Sequence, residues 1–513
     1  MASASVDAQE QHPDMEDVGA THLFITNSEN SQTQKKSFSE SETESSCCLL
    51  KISIPVRVQI GIMAFFMFFV TQMMRSNLYI AHIGMTNTVN YSSLENSSTS
   101  DKIPKRVDWS EQETAVVFSA FYWCYWITEL PGGMLAEKFG ARRVLGIAVM
   151  TAGAVNLVFP LACNVHFILA AALRAIQGLA LGVTWPATHV ISAHWIPSTE
   201  RSKFMTTYHG SSVGTALTYP LSGLLMSVLN WESVFYMTGL LTLLWSAGWW
   251  QLVYDRPSEH PHISSRERKY LQKAIGNSVS SDKKSLRTPW SSILCSGPFW
   301  AVLLASQGLM WGTITLSMQV PAYFKHVYSL DIKMNGFLSG IPEFCKFVFS
   351  ILFSTLIDYL LRNKYLTVTT ARKIAVAISE FLPAIFLVVL AYFGIKTTVG
   401  AVVLLALISA VGGASSSGSL ANVVDLSPNF AGTLLGIIKT LTLVPGVLSP
   451  NLVSIFSDMF GHFDCWYYVF ITMAAIYATC GTIFILLGSG EVQPWNNPEF
   501  RELHSSGKEI APS

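Results

Sequence analysis

The chain has 513 residues, 50% of them hydrophobic and only 13% charged, with a formal net charge of zero. A soluble protein carries about 25% charged residues, so the deficit makes lipid the expected solvent. The balanced charge excludes a basic nucleic-acid stripe, and eight scattered cysteines without a C-x-x-C pair or zinc spacing exclude a disulfide framework, a metal site or a cofactor cradle built on them.

Residues 1–50 are rich in Ser, Glu, Gln and Asp and lack the basic start and apolar core of a cleaved signal, so a disordered cytosolic tail is expected. Leu49 and Leu50 after Glu42 and Glu44 form an imperfect sorting dileucine, and Cys47 and Cys48 stand where palmitoylation occurs. The first span runs from about 55 to 82 and carries Arg75. A polar loop follows with the sequons at Asn90 and Asn96, which places it on the lumenal or extracellular side if glycosylated. Spans two and three fall at 113–136 and 143–162. Between them Gly133, Glu137, Lys138, Gly140, Arg142 and Arg143 make a tight turn with a charge-assisted latch.

Span four lies in LRAIQGLALGVTWPATHVISAHWIPSTER, from Leu173 to Arg201. Arg174 inside it is too costly to face lipid, by about 2.5–3.5 kcal/mol on insertion scales. It snorkels to an interface, balances a buried carboxylate or is held for an anionic substrate. Gly178 and Gly182, one turn apart, permit a close helix crossing, and Pro186 bends the segment. Spans five and six occupy 204–227 and 231–252.

Residues 253–290 are polar and basic, with Arg256, Arg266, Arg268, Lys269, Lys273, Lys283, Lys284 and Arg287, which puts them in the cytosol by the positive-inside rule; Ser264–Ile275 reads as a short surface helix. Six further spans follow at 293–320, 335–360, 372–394, 397–424, 428–455 and 465–488, and Asp358 stands at the matching latch position. The expected organisation is a tail (1–50), a six-helix bundle (51–252), a linker (253–290), a second six-helix bundle (291–488) and a cytosolic tail (489–513). Both termini are expected inside. No nucleophile elbow, Walker loop, H-E-x-x-H motif or polar catalytic domain is present in the sequence, so an enzyme is not expected.

The turn after Gly133 resembles the loop signature of the major facilitator superfamily, with Glu137 for aspartate and Ala141 displacing the first arginine. RSNL at Arg75–Leu78, TELPGG at Thr128–Gly133, RAIQGLALGVTWPA from Arg174, ERSK at Glu200–Lys203, WESVFY at Trp231–Tyr236 and DRPSEHPHIS at Asp255–Ser264 extend the likeness. So do PAYFKHV at Pro321–Val327, NGFLSGIP at Asn335–Pro342, AGTLLGI at Ala431–Ile437 and SGEVQPWN at Ser489–Asn496. Together they resemble the anion/cation symporter branch of that superfamily, which holds sialin, the vesicular glutamate transporters and the type I sodium-phosphate cotransporters.

The resemblance implies an all-α membrane protein of twelve spans in two six-helix bundles. It also implies transport of a small organic or inorganic anion by alternating access, with sodium or a proton as coupling ion. It assigns anion recognition to Arg75 and Arg174, and the residues themselves agree, since guanidinium groups stay charged and bind carboxylate or phosphate by paired hydrogen bonds. Tyr79, Tyr125 and Tyr208 are candidate cavity donors or ordinary packing. Two departures weigh on substrate and coupling: the span-four glutamate of sialin-like members is Leu181 here, and the span-two histidine of the glutamate transporters is Phe118. Neither replacement takes a proton. The departures point toward phosphate or organic anions and the plasma membrane; the dileucine and the sialin likeness point toward lysosomes or vesicles. A proton-coupled carrier of acidic sugars or amino acids, and an anion channel, are the alternatives.

Replacement coupling groups are sought among Glu129, His189, His209, Glu343 and Glu380. Glu343 and Lys346 are three apart, share a helix face and can form an internal pair. Lys439 is either a third cation for a multivalent anion or a partner for Glu343 or Glu380.

Overall fold

A hydrocarbon layer about 30 Å thick is crossed by roughly 20 helical residues, and the apolar runs fold as helices of about that length or more. The computed structural model describes residues 55–85, 107–197, 200, 204, 206–276, 288–393, 397–428 and 430–496. The sequons at Asn90 and Asn96, the tail with Cys47 and the dileucine, and Lys283, Lys284 and Arg287 lie outside the described residues.

The first half holds α1 (Val56–Met85), α2 (Glu111–Phe139), α3 (Ala141–Cys163), α4 (Phe167–Gly182), α5 (Thr184–Trp195), α6 (Gly210–Val228) and α7 (Glu232–Leu252). The linker contributes α8 (Ser265–Gly276), one residue later than expected, and the short α9 (Trp290–Leu294). The second half holds α10 (Gly297–Tyr328), α11 (Ile332–Arg362), α12 (Val368–Phe393), α13 (Thr398–Gly412), α14 (Ser419–Leu426), α15 (Ala431–Leu441) and α16 (Val444–Leu487).

Eight segments are apolar and long enough to cross a membrane, and the last, Ala431–Leu487, turns back at Gly461, whose φ of 81° admits glycine. That makes nine passes. Adding α2, α6 and α7, whose Glu, Gly, Ser, Thr and Trp content lowers their hydropathy, gives twelve among the described residues, six on each side of the linker. A capping box at Ser110 and Glu113 starts α2, each side chain bonding the other's backbone N–H.

Span four differs from expectation in extent and continuity. It begins at Phe167 rather than Leu173, so Arg174 sits two turns inside the helix, and it is interrupted at Val183 between α4 and α5. The two glycines explain its place: a Cβ at Gly178 would stand 2.1 Å from the Phe121 carbonyl oxygen, and one at Gly182 would stand 2.2 Å from that of Tyr125. Only a bare backbone lets α4 lie this close to α2. The span expected at 397–424 is likewise broken, by the GGASSSG run between α13 and α14.

The halves meet where α6 packs on α11, α2 on α16, and α1 on α10. Glycines again set the approach: a Cβ at Gly336 would lie 2.5 Å from the Tyr219 carbonyl oxygen and one at Gly223 2.8 Å from that of Ile332. At the end of the bundle that carries the linker, Arg57 bonds Glu200 at 3.0 Å, and Glu267 of α8 accepts the N–H groups of Val56 and Arg57, tying the linker to the start of α1.

Candidate functional site

Arg75 and Tyr79 are one turn apart on α1 and face α2, where Tyr122, Tyr125 and Glu129 recur at helical spacing on one side. Arg75 Nε and Nη2 both donate to the Tyr122 hydroxyl, at 2.9 and 2.7 Å, and the Tyr79 hydroxyl lies 3.0 Å from it. The guanidinium carbon stands 4.6 Å from the Tyr122 ring centroid and 6.0 Å from that of Tyr125. All these partners are neutral. Among the described residues no carboxylate lies within ion-pair distance of Arg75.

Arg174 lies behind this group and is only 3% exposed. Its Nη1 donates to the Met74 carbonyl at 3.1 Å and to Gln177 Oε1 at 2.7 Å, so it holds the α1 backbone beside Arg75. Gln177 continues into a buried network in which Asn77 donates to Asn156 Oδ1 and Thr238 Oγ1, and Asn156 donates to the Phe235 carbonyl. Sequence reasoning missed Tyr122, Asn77, Asn156 and Thr238. Tyr122 was legible, since it lies two turns before Glu129 on the same face.

Gly446 of α16 packs against Tyr122, its missing Cβ standing 2.2 Å from the ring, and closes the cluster from the end opposite the linker. Nearby, Asn451 and Ser119 bond across the halves at 3.1 Å, Gln112 bonds Asp458 at 3.2 Å, and His462 lies 3.8 Å from Glu111. Closure there leaves a void of about 40 Å³ beside Tyr79 and Phe118, room for a few waters. On the linker side a cavity of about 170 Å³ opens instead, lined by His209, Thr313, Lys346, Ser416 and Lys439 among others.

The remaining candidates separate into cavity and framework. Glu129 is 7% exposed, its Oε2 has no hydrogen-bond partner, and Lys439 and Arg75 act on it electrostatically. Lys439 Nζ lies 4.9 Å from the Trp185 ring, which stacks on Tyr208 at 4.4 Å, and the Tyr208 hydroxyl contacts His189 at 3.2 Å. The Glu343–Lys346 pair does not form: Glu343 accepts from Ser317 Oγ at 2.6 Å, and Lys346 donates to Thr313 Oγ1 at 3.1 Å, each reaching α10. Glu380 is enclosed by Gly308, Gly481 and Tyr477, so neither it nor Glu343 takes the partner role considered for Lys439.

At the linker end, Glu137 and Arg143 are exposed, while Arg142 finds Asp255: its N–H donates to Oδ1 at 2.8 Å and its guanidinium bonds the Trp250 carbonyl. A Cβ at Gly140, φ 89°, would strike the Asp255 carboxylate. In the second half Asp358 is exposed, and Arg372 pairs with Asp425 at 2.6 Å.

Two helical halves meet around a half-buried arginine that, among the described residues, has no carboxylate within ion-pair distance, an arrangement suited to a membrane transporter of anions. The chain belongs to the Major Facilitator Superfamily, whose family model matches residues 62–450, in the branch that holds sialin and the vesicular glutamate transporters. It is 33% identical to human (Homo sapiens) sialin over 86% of this chain and 90% of that protein, and 31% identical to vesicular glutamate transporter 2 of Bos taurus over 88% and 77%. A Drosophila melanogaster protein named as an inorganic phosphate cotransporter is 34% identical over 83% of each chain. Among solved structures, a bacterial homologue of the lysosomal transporter Spinster, inward-facing and occupied, matches 85% of this chain and 97% of its own with a TM-score of 0.61 at 13% identity, a likeness of fold.

Proposed function

We propose that this protein is a secondary active transporter of small anions that works by alternating access, with Arg75 as the anchor for the substrate's negative charge. The observation that carries this reading is the Arg75 guanidinium, placed between the halves and bonded, among the described residues, to the Tyr122 hydroxyl without a carboxylate in ion-pair distance. An uncompensated charge in a low-dielectric interior costs several kcal/mol, and a bound anion removes that cost. Relatives named for glutamate and phosphate transport support the same substrate class.

The basic residues Arg256, Arg266, Arg268, Lys269, Lys273, Arg362 and Lys364 favour a cytosolic linker end, with both termini inside. With that orientation the conformation is inward-facing: sealed around Tyr122 and Gly446, open below. Rocking of the halves about Arg75 would reverse the seal. Arg142 with Asp255, and Arg372 with Asp425, are framework contacts that keep each half rigid as it moves. Coupling through Glu129 is favoured over Leu181, because Glu129 is a buried carboxylate with an unpartnered oxygen in the Lys439 field. The word vesicular in the relatives' names favours an intracellular membrane over the plasma membrane.

The test is labelled-anion uptake into proteoliposomes under separately imposed proton and sodium gradients, with phosphate, glutamate, sialate, glucuronate and urate. Saturable uptake lost in R75A and driven by a proton gradient in wild type but not in E129Q supports the reading. Uptake that survives R75A overturns it, a sodium requirement overturns the role of Glu129, and an ohmic current without exchange favours a channel.

A further inference from the structure

The charges of the inner cavity do not balance. Two lysines from the second half, Lys346 on α11 and Lys439 on α15, line the cavity of about 170 Å³ on the linker side, and Arg75 of the first half acts on Lys439 electrostatically. Lys346 is held by a neutral hydroxyl and Lys439 by an aromatic face. Among the described residues neither has a carboxylate within ion-pair distance. The acids nearby in sequence are engaged elsewhere, Glu343 by Ser317, and Glu380 in the packing between α10, α12 and α16. Lys439 lies in the electrostatic field of Arg75 and Lys346, both repelling it, and of one acid, Glu129. Three cations against one carboxylate leave two positive charges where the dielectric is low.

The cations are also separated along the transport axis. Arg75 meets Tyr122, the ring on which Gly446 closes, and Lys439 precedes Gly446 by seven residues toward the linker end, across the break between α15 and α16. Around the lysines, Thr313, Ser350 and Ser416 present hydroxyls, and the interruption between α13 and α14 removes a bulky helix surface from the wall. Hydroxyls and ammonium groups together are what a carboxylate requires: several donors and no competing acceptor charge.

We propose that Lys346 and Lys439 form a second anion subsite, and that the substrate is a small dicarboxylate, one group on Arg75 and the other on the lysine pair. This rests on Arg75 being the anchor of a transported anion. A dianion neutralises the excess of the cavity, whereas a monoanion leaves one lysine charge unmatched. The lysines also give an entry order: an anion from the linker side meets them first and is drawn on to Arg75 behind.

The test is binding of glutarate and of pentanoate, equal in carbon count but with two and one carboxylates, to the full-length protein in nanodiscs at constant ionic strength and pH 7.5. A charge-assisted contact predicts glutarate tighter than pentanoate by about ten-fold or more. K346M and K439M should bring that ratio toward one, while K439R keeps most of it, which separates charge from folding. R75A should weaken both ligands together. Equal binding of the two acids by wild type, or a ratio that survives both lysine substitutions, overturns the subsite. R75A without effect on pentanoate sinks the anchor instead, and the lysine ratio then reports on its own.

Discussion

Arg75 and Arg174 sit near each other in the first half and, among the described residues, both bond neutral oxygens with no carboxylate in ion-pair distance, yet they differ in what encloses them. Arg174 is enclosed, and its bonds to the Met74 carbonyl and Gln177 join it to the Asn77, Asn156 and Thr238 network between α1, α3, α4 and α7. Arg75 faces the seam between the halves, and among the described residues its guanidinium donates to one tyrosine hydroxyl, which the second half covers with Gly446. A charge bonded into its own bundle holds shape; a charge left at the seam awaits a ligand. The difference lies in the acceptors available, because both side chains are guanidinium groups.

The strongest way to break this comparison is to truncate each arginine in turn. R174A leaves the Met74 carbonyl and Gln177 without their donor and opens a void, and the lost bonds and the cavity should together cost roughly 2–5 kcal/mol, seen as a fall in the melting temperature of the detergent-solubilised protein. R75A should leave melting nearly unchanged or raised, since it removes an unmatched charge, while saturable uptake disappears. Equal melting losses in both variants would refute the distinction.

Next in size is G446A. A methyl group cannot fit 2.2 Å from the Tyr122 ring, so the seal opposite the linker should loosen; a cysteine introduced in place of Ser119 should label faster from that side, and turnover should fall several-fold. Unchanged labelling would show that α16 yields without altering access.

N156A sharpens the framework side of the comparison. It removes bonds to Asn77, Thr238 and the Phe235 carbonyl and should cost about 1–3 kcal/mol in stability, with the substrate affinity of the folded fraction retained. A selective loss of affinity instead would place Asn156 in recognition.

The smallest effect belongs to the linker. Burial against Trp195 and Tyr254 pushes the His260 imidazole below its ordinary value. The unfolded segment then takes up a proton first, so the stability His260 contributes is present above about pH 6.5 and declines as pH falls below it. H260F should flatten that decline in proteolysis of the linker measured between pH 7.5 and 5.5.

Much of the architecture was legible because lipid imposes a length and a composition on every pass: the spans, the basic linker and the close crossing at Gly178 and Gly182 all follow from local residues. Breaks were harder. The interruption at Val183 lies inside an apolar run whose composition continues smoothly, whereas the one after Gly412 falls in the small, polar GGASSSG run and the turn at Gly461 falls in SDMFGHFD, between the spans expected at 428–455 and 465–488.

The sequence by itself determined the lipid environment, the helical class and the presence of Arg75 and Arg174 where charge is expensive. Only the tertiary structure decided that Arg174 is bonded within its bundle while Arg75 stands at the seam, that Arg142 meets Asp255 across 113 residues, and that Lys346 turns to Thr313 rather than Glu343. The reason is physical. Helical periodicity fixes which residues share a face, but which acceptors that face meets depends on neighbouring helices brought from far along the chain, and the acceptors decide what a buried charge does.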